Sequence, residues 1–543
     1  MAHRQQPRAR PQSAPARQRS VREATLELLR AYGMTTVFGN PGSTELKFFR
    51  DWPADFRYVL GLEESCCVAM ADGYAQGTRN AAFVNLHSAA GVGHALGSVF
   101  TAYRNQSPLV ITAGQQTRAM FPTDPYLYAA DAAQFPKPYV KWSVEPARAE
   151  DVPAALSRAY HLAMAHPQGP VFVSVPEDDW DAPAEPAPPR RVNTALAPDP
   201  EALAALARAL DVARKPVIVA GAAVDQDGAW AALVALAEKL EAPVWDSPMS
   251  SRASFPEDHR LFAGFLPPLR QPLADALAGH DLVLVLGAPV FTYHVHSGGH
   301  YLPEGAQLWQ LTADPEYAAR APVGNSILCT MKLAIAQLTA RLATRPRARA
   351  QGRTPAPAPA PSTPPSAEYV YHLIRRLMPP GAVIVEEAPS HRNALREHLA
   401  ITESGGFYCG ASGGLGWALP AAIGVALAEP ARKVICVVGD GSSLYSIQAL
   451  WTALREKVPV AFVVLNNAGY GALRAFGGML GIAGAPGHDV PGVDFVSIAQ
   501  GFGCRARRVG SAREIEPALN EAIAADEPRL VEVALESAVV KLY

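Results

Sequence analysis

Short, continuous runs of β-branched and apolar residues, each closed by Gly, Asn, Asp or Pro and followed by an Ala/Leu-rich stretch, recur along most of this 543-residue chain. A first block carries them at 58–62, 82–86, 109–113 and 170–175, and a second at 216–220, 282–287 and 307–311. A third has 383–387, 434–439, 461–466 and 530–533. A strand with one face in water alternates apolar and polar residues. A run that is apolar throughout has to be covered on both faces, and the helical stretches between the runs supply those covers. The pattern predicts an α/β fold of three doubly wound parallel-sheet domains. In such sheets ligands bind beyond the carboxyl ends of strands, where the strand order reverses, so function is expected just after the runs.

Composition marks the boundaries. Residues 345–366 hold seven prolines and read as an extended, polyproline-like linker. A softer break lies at 182–200. The first 22 residues contain six Arg, three Pro and no acid, and 1–20 is expected to be a disordered tail. The domains are then 21–182, 200–344 and 367–543.

Charged residues make up 18% of the chain, below the ~25% of an average soluble protein. The formal net charge is −2, so no basic field points to nucleic acid. Two stretches, 80–103 and 404–428, have no charge at all. A membrane span needs about 20 predominantly apolar residues. The first stretch, however, contains Asn85, His87, Ser88, His94, Ser98 and Thr101, and the second contains seven glycines with Ser404, Ser412 and Pro420. No membrane partner is expected; the two stretches are read as opposite walls of one water-poor cleft. The six cysteines (66, 67, 329, 409, 436 and 504) contain no C-x-x-C and read as buried free thiols in a reducing cytoplasm.

The most specific signal is a doublet in the third block. The run 433–438 ends in Gly439-Asp440-Gly441-Ser442, and the run 460–465 ends in Asn466-Asn467-Ala468-Gly469. The 24 residues from Ser442 to Leu465 leave room for one crossover helix, at 444–456, which brings the two tips side by side. Asp440 offers a carboxylate, Asn467 an amide oxygen and Gly469 a backbone carbonyl. Hard oxygen donors of this kind suit Mg²⁺ completed by phosphate oxygens, and the glycines let backbone approach a diphosphate.

G-D-G followed at this distance by N-N resembles the fingerprint of thiamine-diphosphate-dependent enzymes. Other segments extend the resemblance over nearly the whole chain, toward the benzoylformate decarboxylase branch. They are Asn40-Pro41-Gly42-Ser43-Thr44-Glu45-Leu46, Asn85-Leu86-His87-Ser88-Ala89-Ala90-Gly91, 107–120, 287–294 and 413–420. The resemblance implies domains that bind the pyrimidine, do no direct cofactor chemistry and bind the diphosphate, in that order. It implies thiamine diphosphate and Mg²⁺ as cofactors, a small 2-oxo acid as substrate, and a homo-oligomer that is a dimer of dimers. The implied reaction is non-oxidative decarboxylation of an aromatic 2-oxo acid, foremost benzoylformate, to an aldehyde and CO₂ through a C2 ylid. The alternatives are another aryl or branched 2-oxo acid, or carboligation.

Residue by residue, the resemblance gives Glu64 to the aminopyrimidine and His87 and His294 to proton handling. Ser43 would hold the substrate carboxylate; as a turn serine it could equally cap the following helix. A neighbouring acid, Glu63, reads as a helix N-terminal residue. Gly413 and Leu415 would contact the cofactor rings, and Ser390, Asp440, Gly441, Ser442, Asn467, Gly469 and Tyr470 would surround the diphosphate and metal. Ala472 and Phe476 would line the substrate pocket beside Ser43, His87 and His294. The chain departs from the pattern at Ala388-Pro389-Ser390-His391, where only Ser390 keeps a hydroxyl. It departs again at Ala475, where loss of an aromatic wall is expected to enlarge the pocket near Cys409. A rival enzyme class also fits part of the sequence: Gly410-Ala411-Ser412-Gly413-Gly414 matches G-x-S-x-G, and Ser412, Asp440 and His488 follow hydrolase order. Residues 404–407 make a poor strand for that nucleophile turn.

Overall fold

The computed structural model describes residues 19–344, 348–350, 352–482, 484–537 and 542. The expected tail therefore lies outside the described residues up to position 18, as do 345–347 and 351 of the linker. Residues 352–366 form neither helix nor strand. Around them stand three six-stranded sheets, every pairing parallel.

All eleven apolar runs became strands, shifted by at most two residues at an end. Seven further strands carried too little pattern to be read: Thr36–Gly39, Ser143–Val144, Val244–Asp246, Phe262–Phe265, Asn325–Leu328, Phe407–Cys409 and Arg505–Val509. Five of them are sheet edges. An edge strand has one neighbour and a solvent side, so it needs no continuous apolar run; Arg505–Val509 carries three arginines. Phe407–Cys409 is also a correction, because a short strand does precede Ser412.

The first sheet runs Arg57–Leu60, Thr36–Gly39, Ala82–Leu86, Leu109–Gln115, Val171–Pro176, Ser143–Val144. Its order reverses between Thr36–Gly39 and Ala82–Leu86, so residues 40–45 and His87 emerge at the switch point. The third sheet repeats that order, and its switch lies between Val383–Glu387 and Val434–Gly439. Residues 388–391 and Asp440 emerge there, and Asn467 follows the adjacent strand Ala461–Asn466. The middle sheet differs: its reversal lies between Pro216–Ala220 and Leu282–Leu286.

The first and third domains share one apolar core, in which Phe38, Val84 and Ile111 belong to the same cluster as Val385, Val438 and Val464. At its centre helix Glu64–Thr78 crosses helix Ala418–Ala428 almost backbone to backbone. A Cβ on Gly424 would collide with the Met70 carbonyl, and one on Gly73 with that of Ala421. The second helix is apolar on all sides and buried along nearly its whole length, which accounts for much of the charge-free stretch 404–428. Each large apolar side chain buried there contributes about 1.5–3 kcal/mol. Among the described residues no helix is long and apolar enough to cross a membrane.

Candidate active site

The tips of the third sheet meet as the doublet spacing predicts. Asp440 is buried, its Oδ1 accepting from the Gly441 N–H and its Oδ2 from the Gly469 N–H, both at 2.8 Å. Burial raises its pKa above the ordinary carboxylate value, and the two N–H donors and the charge of Arg474 only reduce that rise. A buried carboxylate with this small compensation favours a cation beside it. The Asn467 amide nitrogen lies 3.4 Å from Nε2 of His391, whose burial lowers its pKa to about 4 and keeps the ring neutral. That contact leaves the amide oxygen of Asn467 available.

With the Gly469 carbonyl, these oxygens form the hard donor set that Mg²⁺ requires. Among the described residues no group of three or more His, Cys, Asp or Glu side chains is placed to hold a metal ion. One carboxylate with two neutral oxygens leaves the remaining positions to phosphate and water, the usual mode for Mg²⁺. Glycine keeps the cradle open: a Cβ on Gly441 would strike the Tyr470 ring, and one on Gly471 would lie 2.7 Å from Nδ2 of Asn467. The residues present therefore fit a magnesium diphosphate. Ser390 accepts the Ala472 N–H at 2.9 Å, which fastens helix Gly471–Met479 and leaves its hydroxyl hydrogen for an anion.

A cleft of about 660 Å³ extends from this cradle. Asp440, Gly441, Ser442, Asn467, Gly469, Tyr470 and Ser390 line it, as do Gly413 and Leu415, and His294, Ala472 and Phe476. The rings of His294 and Phe476 meet edge to face with centroids 5.0 Å apart. Two expectations fail here. Ala475 is buried on the inner face of its helix and does not line the cleft, whereas Leu473 does. Cys409 belongs to a smaller pocket with Arg252 and Arg392, its thiol directed at the Ser250 carbonyl.

Ser43, Glu64 and His87 line a different place, the switch point of the first sheet. His87 Nδ1 lies 3.0 Å from Glu45 Oε2. Glu45 is buried and also accepts from the N–H groups of Gly42 and Gly114 and the hydroxyl of Thr44. Hydrogen bonding to Glu45 raises the His87 pKa above its ordinary value; burial opposes the rise without cancelling it. Any Cβ on Gly42 would overlap the His87 ring, so glycine there is what admits the imidazole. Glu64 opens helix Glu64–Thr78, with Oε2 3.1 Å from Nδ1 of His94. Glu63 is the N-cap, accepting from the Cys66 N–H at 3.2 Å. Gly42 rather than Ser43 occupies the cap of the short helix Ser43–Glu45, and Ser43 is exposed.

Within one chain, then, the two charge-free stretches are not opposite walls of a single cleft. They meet at the 2.8 Å contact between Thr101 Oγ1 and Ser412 Oγ. That contact also removes the hydrolase reading: Ser412 bonds Thr101 and the Gly414 N–H, Asp440 is held by its own loop, and His488 leans on Asp489. Sequence reasoning passed over Glu45, His94 and Glu387 as site residues. Glu45 and Glu387 both carried a usable signal, an acid at the end of a switch-point strand or in the loop that follows it.

Three family models match the chain in order. They are the thiamine pyrophosphate enzyme N-terminal TPP binding domain (residues 19–134), central domain (203–338) and C-terminal TPP binding domain (389–533). Benzoylformate decarboxylase from Pseudomonas aeruginosa is 47% identical over 96% of this chain and 99% of its own length. The crystal structure of benzoylformate decarboxylase from Polynucleobacter necessarius superposes with a TM-score of 0.95 at 40% identity, covering 97% of this chain and 100% of that one. The 4-hydroxybenzoylformate decarboxylase of Rhodococcus jostii RHA1 gives 0.93 at 44%, with the same coverage. The chain belongs to the thiamine pyrophosphate enzyme family, as a thiamine-diphosphate-dependent 2-oxo-acid decarboxylase similar to benzoylformate decarboxylase.

Proposed function

We propose that the protein converts an aromatic 2-oxo acid, benzoylformate or a ring-hydroxylated analogue, to the aldehyde and CO₂ without oxidation. The observation that carries this reading is one cleft lined both by Asp440, Asn467 and Gly469 and by the edge-to-face rings of His294 and Phe476. Asp440, Asn467 and the Gly469 carbonyl would hold Mg²⁺, with Gly441, Ser442, Tyr470 and Ser390 around the diphosphate. Thiamine diphosphate, when bound, supplies the electron sink that lets a carboxylate leave as CO₂. Glu64 would hold a proton at a ring nitrogen of the cofactor, and Leu415 would support its rings. His87, kept protonated to higher pH by Glu45, and His294 would move protons to and from the substrate oxygen. Ser43 would hold the substrate carboxylate, and Leu473, Ala472 and Phe476 give the acid an apolar seat.

The reading requires two copies of the chain, because Ser43, Glu64 and His87 do not line the cleft of their own chain. We place them in a partner's cleft, in a homodimer that pairs again into a tetramer. Six buried, unpaired thiols support a reducing, cytoplasmic setting. The test is a panel of benzoylformate, 4-hydroxybenzoylformate, pyruvate and a branched 2-oxo acid, followed by CO₂ release and aldehyde formation. Faster turnover of the aromatic acids is expected. No CO₂ from either, or a preference for pyruvate, would overturn the proposal.

A further inference from the structure

Glu387 is the last residue of an inner strand of the third sheet; it is buried and borders the cleft, but its carboxylate is engaged by backbone. Its carboxylate accepts three consecutive backbone N–H groups: Gly416 at 2.6 Å on Oε1, and Trp417 at 2.7 Å and Ala418 at 2.9 Å on Oε2. These are the donors at the start of helix Ala418–Ala428, where the helix dipole favours an anion. Burial pushes the Glu387 carboxyl up to about 7, so such a group is costly to keep there. A serine cap would satisfy donors at this helix start without burying a charge.

What the carboxylate achieves is placement. The segment 411–418 is fastened at both ends while its middle is bare. The Ala411 N–H donates to Asn105 Oδ1 at 2.8 Å, and the Trp417 indole donates to Asp72 at 2.7 Å. Between them Gly413 and Gly414 are exposed, and a Cβ on Gly413 would meet nothing within 4 Å. Leu415 follows directly, and Gly416 turns at φ +98° against Tyr445, a conformation and an approach that require glycine. On its other side Glu387 is paired in the sheet with Val438, two residues before Asp440. One residue thus joins the base of the Asp440 loop, through its backbone, to the foot of the Leu415 loop, through its carboxylate.

We propose that Glu387 is a positioning residue that sets the separation between the diphosphate anchor at Asp440 and the ring contact at Gly413–Leu415. The proposal rests on the thiamine diphosphate reading of the cleft. A cofactor gripped at both ends senses that separation; an anion gripped only at Asp440 does not.

Binding of Mg²⁺–thiamine diphosphate and of Mg²⁺–inorganic diphosphate to the full-length protein, measured by calorimetry, separates the two. Glu387→Gln keeps the side chain's size but opposes an amide N–H₂ to a backbone N–H. It is expected to weaken thiamine diphosphate by about tenfold or more while inorganic diphosphate stays within about twofold. Glu387→Asp, which keeps the charge and shortens the reach, gives the same selective loss and serves if the glutamine variant does not fold. Unchanged affinity for thiamine diphosphate would overturn the proposal, and so would equal weakening of both ligands. Failure of the unsubstituted protein to bind thiamine diphosphate would overturn the functional reading instead.

Discussion

The imidazole Nδ1 of His87 sits 3.0 Å from the carboxylate of Glu45, and the two meet only because residue 42 between them has no side chain. The carboxylate favours the charged imidazole, so the His87 pKa is raised. Glu45→Gln is expected to lower it, moving any limb of the pH–rate profile that needs protonated His87 to lower pH. The stabilisation from this pair is fully present below the ordinary histidine value and is lost as pH rises through the raised one. Thermal unfolding of the two proteins between about pH 5 and 9 is expected to show that loss in the native chain and not in the variant.

Asp440→Ala removes the carboxylate of the proposed metal cradle. Saturating thiamine diphosphate with Mg²⁺ is expected to raise the unfolding temperature of the native protein, since ligand at 100 times its Kd contributes about 2.7 kcal/mol. No shift is expected for the variant, and a shift of native size would remove Asp440 from the site.

Glu64→Ala and His87→Ala are each expected to lower kcat by about tenfold or more. If the two halves of each site come from different copies, a Glu64→Ala chain reassociated with an Asp440→Ala chain rebuilds some intact sites. Random pairing of equal amounts restores about a quarter of native activity. Recovery that does not rise above the sum of the separate variants would place both halves in one chain.

Gly424→Ala adds one methyl where helix Ala418–Ala428 crosses helix Glu64–Thr78 against the Met70 carbonyl. The helices have to separate, at an expected cost of about 1–3 kcal/mol in stability. Denaturant unfolding of the cofactor-free protein measures it. Substituting Gly414, whose Cβ would meet only the hydroxyls of Ser412 and Thr101, is the milder comparison.

The apolar runs were legible because both faces of a central parallel strand are buried, which forces unbroken hydrophobicity into the sequence. Edge strands such as Arg505–Val509 and Ser143–Val144 escape that constraint and left no trace. The closeness of the two tips was legible for a related reason: Asp440 and Asn467 sit at fixed offsets from the ends of two adjacent strands, and one crossover separates them. Ala475 was misplaced because its direction depends on the rotation of helix Gly471–Met479, which a four-residue stretch does not specify.

The sequence alone therefore determined three doubly wound parallel sheets and placed Asp440, Asn467 and Gly469 side by side, and its resemblance to the family pointed to Glu64, His87 and His294. The sheets and the doublet follow from residue type at a fixed distance from a strand; the three side chains follow from the motifs that carry the resemblance. Only the tertiary structure decided that Glu45 holds His87, that Glu387 holds the turn after Leu415, and that Glu64 and His87 stand apart from their own chain's cleft. Those relationships join positions between about 30 and several hundred residues apart, and they arise from how strand ends and helices of separate units come together in space, which no local spacing encodes.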